Sequence, residues 1–200
     1  MIRIDSPDSP YYPLMKNKNN ELRTQIINSF MDIKDEREKI IAIKEFFAKH
    51  YDYDYGYIFG NNPSGIVHDK PTCEDREYRT FTIDGKPYEA HSFTYRDCGK
   101  HLSPALHLTK VAQCTIYPNE MKFFMNNYGI NSSVRFESSF PCLNKFTKCL
   151  VNIPHQFNKV YLKNGKTLSV DICAEIMTRD AKRMNLDIDY KALQATNTEI

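Results

Sequence analysis

Apolar side chains recur at three- and four-residue steps in some stretches of this chain and at two-residue steps in others, which separates helices from strands. Leu22, Ile26, Ile27 and Phe30 are spaced for one helical face between Glu21 and Met31. Asp35 and Glu38 stand in N-cap and N3 relation ahead of Ile40, Ile43, Phe47 and Tyr51, which predicts a capped helix ending near Tyr51. Residues 5–20 carry three prolines and no period, and read as an arm. Residues 52–103 are rich in tyrosine and turn formers; Arg79 to Ile83, Asp84-Gly85 and Tyr88 to Tyr95 predict a hairpin there.

Tyr117, Met121, Phe124, Met125 and Tyr128 form another helical stripe, interrupted near its start by Pro118. Proline fits only the first turn of a helix, so this helix begins within a turn of Pro118 and places Cys114 at its N-terminal edge. Gly129 and Ile130 supply its left-handed stop and apolar cap contact. The period then changes to two, over Ser133 to Ser138, Lys148 to Ile153 and His155 to Leu162. Asn164-Gly165 predicts a hairpin into a strand over Lys166 to Asp171. A helix with Cys173, Ala174, Met177, Ala181 and Met184 on one face follows, and a short helix near Tyr190 to Ala195. This order is an α+β layout, with one domain over residues 21–200 and an insertion at about 52–103.

Composition adds limits. The 27 basic against 25 acidic side chains leave a net charge of +2, which argues against a polybasic nucleic-acid binder. No apolar run approaches membrane-spanning length, and the first residues lack the apolar stretch of a secretory signal. The expectation is a cytoplasmic protein, or one exported without a cleavable signal. In a reducing compartment the six cysteines, at 73, 98, 114, 142, 149 and 173, are free thiols.

One of them is placed for chemistry. A cysteine at a helix N-terminus sits where the positive helix end favours the thiolate. Such a nucleophile needs a histidine as base and a carboxylate to orient the imidazole. His155 and Asp171 lie on the two arms of the predicted hairpin. Their relation depends on register: a two-residue Asn164-Gly165 turn puts them on opposite faces of the sheet. A three-residue loop with Gly165 left-handed pairs Leu162 with Lys166, sets Asp171 across from Phe157, and puts the carboxylate on the His155 face. The competing reading of Asp171 is a helix N-cap. For Cys98, His101, His107 and Cys114 the rival is a zinc site, but their spacing fits no common module, and neither a metal nor a cofactor is expected. His68 and Cys73 carry no pattern.

Cys114-x-x-Tyr117, the amphipathic helix and Gly129-Ile130 resemble the nucleophile segment of the transglutaminase-like superfamily. His155-Gln156-Phe157-Asn158-Lys159-Val160, Asn164-Gly165-Lys166 and Val170-Asp171 resemble its histidine and aspartate motifs. Tyr51-Asp52-Tyr53-Asp54-Tyr55 is similar to the motif closing the helix before its core, and Pro104 and Leu108 fit ahead of Cys114. The resemblance covers about residues 32–55 and 104–175. It implies a papain-like fold, with the nucleophile helix on an antiparallel sheet, and acyl transfer on protein or peptide amides by proteolysis, deamidation or crosslinking. Cys114 is then the nucleophile, His155 the base and Asp171 the orienting acid. The backbone N–H of Cys114 would be one oxyanion donor, with Gln113 and the tyrosines at 51–57 as candidates for a second. The chain departs from the pattern at Gln113, where a small residue is usual, at Pro118, where alanine follows the tyrosine, and at Phe157, where tryptophan follows the histidine. The alternative is a domain of the same fold that has lost catalysis and binds a protein partner.

Overall fold

The computed structural model describes residues 1–60, 76–98 and 102–198. His68, Cys73 and His101, and part of the expected insertion, lie outside the described residues.

The described chain is α+β, as the periodicity predicts. It begins with β1 (Ile2–Ile4), α1 (Tyr12–Ser29) and α2 (Glu36–His50). The Asp35 carboxylate accepts from the Glu38 N–H at 2.8 Å, which is the expected cap. After β2 (Asp52–Tyr53) and the short α3 (Tyr55–Phe59), the hairpin β3 (Tyr78–Ile83) and β4 (Lys86–His91) forms around the Asp84-Gly85 turn. Then come α4 (Tyr95–Cys98), α5 (Leu106–Thr109), β5 (Val111–Ala112) and α6 (Tyr117–Asn127). The chain continues through β6 (Asn131–Asn144), β7 (Cys149–Tyr161), β8 (Thr167–Val170), α7 (Ile172–Arg183) and α8 (Tyr190–Leu193).

Residues 1–20 are not an arm, which corrects the sequence-based expectation. Pro7 and Pro10 precede α1, and Pro13 occupies its first turn, where a missing N–H breaks no hydrogen bond. The inward face of α1 includes Asn19 and Arg23, polar side chains that hide its period. Both are bound: Asn19 Nδ2 donates to the Ser103 carbonyl at 3.1 Å, and its Oδ1 accepts from the His107 N–H at 2.7 Å. The N-terminus also contributes β1, which runs parallel to β4 and makes the hairpin a three-stranded sheet.

The principal sheet is antiparallel in the order β6-β7-β8, and α6 packs on β6 and β7. The main core joins α2, α6, α7 and this sheet through Ile43, Phe47, Met121, Phe124, Val160 and Met177, all buried. A smaller cluster, including Ile4, Met15, Tyr88 and Phe93, holds the N-terminal sheet to α1.

Candidate active site

The hairpin between β7 and β8 closes by the three-residue loop. The Leu162 N–H donates to the Lys166 carbonyl at 2.9 Å, and Gly165 has φ of +84°. Tyr161 pairs with Thr167 and Asn158 with Val170. Continued by one residue, this register sets Asp171 across from Phe157 and therefore on the face of His155. His155 Nε2 donates to Asp171 Oδ2 at 2.6 Å, with both side chains buried.

The other strand contact of His155 is irregular. Glu137 pairs with His155 and Phe140 with Ile153, so β6 carries an extra residue opposite Pro154. A proline tolerates that place because a bulge leaves its position without a ladder donor. The bulge brings the Phe140 ring onto the imidazole, with centroids 4.7 Å apart and planes 20° from parallel.

Asp171 is also the N-cap of α7. Its Oδ1 accepts from the Ala174 N–H at 3.0 Å, while Oδ2 takes His155. One carboxylate thus meets both readings of the sequence. Burial disfavours the imidazolium, but the Asp171 charge outweighs it and holds His155 well above the ordinary histidine range.

Cys114 approaches from the α6 side. The Gln113 carbonyl accepts from the N–H groups of Ile116 and Tyr117, at 3.0 and 3.3 Å, so the turn from Cys114 to Ile116 runs straight into the helix. Gly129, with φ of +70°, ends that helix, and the Ile130 N–H reaches the Met125 carbonyl at 2.9 Å. Two further bonds fix the start of α6. Asn158 Nδ2 on β7 donates to the Pro118 carbonyl at 2.9 Å, and the Tyr117 hydroxyl donates to the Asp52 carbonyl at 2.6 Å. The Cys114 thiol is one of the groups that hold the His155 imidazolium up, although no hydrogen bond joins the two among the described residues. A second thiol is another: Cys142 Sγ, on β6, lies 3.7 Å from His155 Nδ1. Burial pushes the Cys142 thiol up to about 11, which keeps it protonated at neutral pH.

The pairing of β2 with β5 lays residues 52–54 beside the approach to Cys114. Tyr53 is buried there in one core cluster with Cys114, and its hydroxyl has no hydrogen-bond partner among the described residues. Gln113 is fully buried, and among the described residues neither its Nε2 nor its Oε1 has a partner. Unpaired buried amides are rare, because each donor or acceptor stripped of water without replacement costs about 1–3 kcal/mol. Tyr53 also lines a surface cleft of about 240 Å³, together with Tyr55, Asp180, Arg183 and Met184.

Sequence reasoning missed Cys142 as a neighbour of the site; it named Tyr53 only among the tyrosines at 51–57, and Asn158 only within the histidine motif. Cys142 carried no signal, since its approach to His155 depends on the bulge in β6. The rival zinc set does not assemble around His107. Its Nδ1 faces the Tyr51 hydroxyl at 2.8 Å and its Nε2 the Glu120 carboxylate at 2.9 Å, so both ring nitrogens are engaged. Among the described residues, no group of three or more metal-ligating side chains is arranged to hold an ion.

No family model matches the sequence, and no curated protein matches it. Two solved chains resemble the fold. One is the periplasmic domain of TgpA from Pseudomonas aeruginosa bound to ethylmercury, at a TM-score of 0.41 and 14% identity, over 85% of this chain and 47% of that one. The chain therefore spans about half the length of that domain. Among the described residues, no helix is long and apolar enough to cross a membrane.

Proposed function

We propose that this protein is a cysteine-dependent acyl-transfer enzyme of the transglutaminase-like type, acting on protein or peptide amides. The observation that carries the reading is the buried His155–Asp171 pair, at 2.6 Å, with the Cys114 thiol near enough to help hold the imidazolium. Three segments distant in sequence converge on that ring, and the helix start, the hairpin loop and the bulge each serve the convergence.

In the proposed reaction the Cys114 thiolate attacks the amide carbonyl, and the proton held by His155 passes to the leaving amine. Water, or an acceptor amine, then resolves the thioester. Asp171 holds the imidazole through Nε2 and leaves Nδ1 facing the thiols. The oxyanion forming on the carbonyl would be met by the Cys114 N–H and by one of two unpartnered groups, the Gln113 amide or the Tyr53 hydroxyl. An orphaned donor beside the nucleophile has a purpose if its partner is present only during the reaction. Substrate would arrive through the cleft that Tyr53 lines.

The test is acylation by p-nitrophenyl acetate, followed by intact-mass and peptide mapping. The reading expects one acetyl group on Cys114, formed much more slowly in His155→Ala. Acetylation of Cys114 no faster than of the exposed Cys149 overturns it and leaves the alternative, a noncatalytic binding module.

A further inference from the structure

The chain from Gln194 to Thr198 grips Asp171 at several points. The Thr196 hydroxyl donates to Asp171 Oδ2 at 2.6 Å, onto the same oxygen that accepts from His155 Nε2. Asn197 brackets the Asp171 backbone: its Oδ1 accepts from the Asp171 N–H at 2.8 Å, and its Nδ2 donates to the Asp171 carbonyl at 3.2 Å. The Thr198 carbonyl accepts from the Ser169 N–H at 2.7 Å, which lays the segment along β8. Gln194 anchors its start, donating to Thr178 Oγ1 at 2.6 Å and to the Ala174 carbonyl at 3.1 Å on α7, and accepting from Asn197 Nδ2 at 2.7 Å.

We propose that Thr196 is a positioning residue for His155, acting through Asp171. The inference rests on the acyl-transfer reading and adds to it the group that holds the orienting carboxylate. Asp171 needs such a group because its two oxygens serve different masters. Oδ1 caps α7, and the cap alone leaves Oδ2 free to move about the Cβ–Cγ bond. In so buried a site, Oδ2 without that partner would satisfy its second lone pair by turning, and the imidazole would turn with it. The Thr196 hydroxyl fills that lone pair and fixes the direction of the carboxylate plane. Thr196 touches neither Cys114 nor the cleft in any hydrogen bond of the described residues, so its effect on the nucleophile passes through the Asp171–His155 pair.

The experiment uses the full chain and three variants, Thr196→Val, Thr196→Ser and Thr196→Ala. One readout is the second-order rate of iodoacetamide alkylation at Cys114 across pH 5–9. The other is solvent exchange of the His155 Nε2 proton, followed by ¹H–¹⁵N NMR of imidazole-labelled protein. Thr196→Val is expected to slow alkylation roughly 10- to 100-fold at neutral pH, the span of one hydrogen bond to a charged group, and to speed exchange of the Nε2 proton. Thr196→Ser, which restores the hydroxyl, is expected to return both to wild-type values. Thr196→Ala substitutes for Thr196→Val if the latter does not fold. Wild-type exchange and alkylation in the hydroxyl-free variant overturn the proposal, as does a serine variant that fails to recover. If Cys114 of the wild type is inert, the acyl-transfer reading fails by itself, and the exchange measurement still decides whether Thr196 holds the pair.

Discussion

Replacing Asp171 by asparagine separates its two duties. Asparagine is as good an N-cap as aspartate, so the Ala174 N–H keeps its acceptor. With the carbonyl oxygen kept on the cap, the Oδ2 position becomes an NH₂ group, and two donors, His155 Nε2 and Thr196 Oγ1, lose a charged partner at 2.6 Å each. A hydrogen bond to a charged group contributes about 1.5–3 kcal/mol, so losing both costs roughly 3–6 kcal/mol. Recovery of one, by reversal of the imidazole tautomer, reduces this to about half. That reversal turns a protonated nitrogen toward the thiols and removes the base. Urea unfolding of Asp171→Asn at pH 7 should therefore show a loss of at least about 1.5 kcal/mol. Alkylation of Cys114 should fall about tenfold or more as the imidazole loses its orienting charge. Asp171→Ala should lose about 1 kcal/mol beyond the asparagine variant, the contribution of the cap. An asparagine variant as stable as wild type, with unchanged Cys114 reactivity, would refute the role assigned to the carboxylate. Equal losses for asparagine and alanine would refute the cap.

Two further outcomes follow from buried groups near the site. Gln113 makes no hydrogen bond with either amide atom, so Gln113→Leu should leave stability unchanged or raise it by about 1–3 kcal/mol in urea unfolding. If its amide is the oxyanion donor, the same substitution should lower acylation by p-nitrophenyl acetate about 100-fold; an unchanged rate moves that role to Tyr53. Asp54 is fully buried, and burial pushes its carboxyl up to about 6 even though Ser92 and the N–H of Tyr57 bind it. Because the folded value exceeds the unfolded one, near 3.9, the stabilising contribution is complete below about pH 4 and is lost as pH rises through about 6. At pH 7 the ionised group costs roughly 3 kcal/mol, so Asp54→Asn should gain on wild type by about that amount between pH 4 and pH 7. Parallel stability profiles for the two proteins would show that the carboxyl ionises at its ordinary value.

How much of this was legible before folding depends on whether the determinant is local. The Asp35 cap, the Gly129 stop and the Asp84-Gly85 turn are set by a few consecutive residues, and the structure has each where the sequence puts it; at Asn164-Gly165 the sequence leaves two loops open, and the structure has the three-residue one. The register of β7 with β8 follows from the loop alone, so the proximity of His155 and Asp171 could be posed in advance as a condition on Gly165. The first half of α1 could not, although Leu22, Ile26 and Ile27 announce its second half. Its inward Asn19 and Arg23 are satisfied by Ser103, His107 and Glu120, partners more than 80 residues away, and no local pattern announces them. Strand continuity was misread for the same reason. Pro154 looks like a break between two strands, whereas β7 runs through it because the partner strand bulges there. Thr196 was silent as well, since its relation to Asp171 depends on how the last segment returns along β8.

The thiols also form a built-in gauge of how the molecule opens. Cys149 is exposed and Cys98 half-buried, while Cys114, Cys142 and Cys173 are buried around the same imidazole and the start of α7. A mild alkylating reagent, followed over hours without denaturant, reads the five thiols of the described residues as separate clocks in one sample. Cys149 times the reagent itself, and the three inner thiols time the fluctuations that admit it. If Cys114 reacts orders of magnitude before Cys142 and Cys173, the helix start breathes independently of the sheet. If the three react together, the site opens only when the domain does, and any substrate must wait for that event.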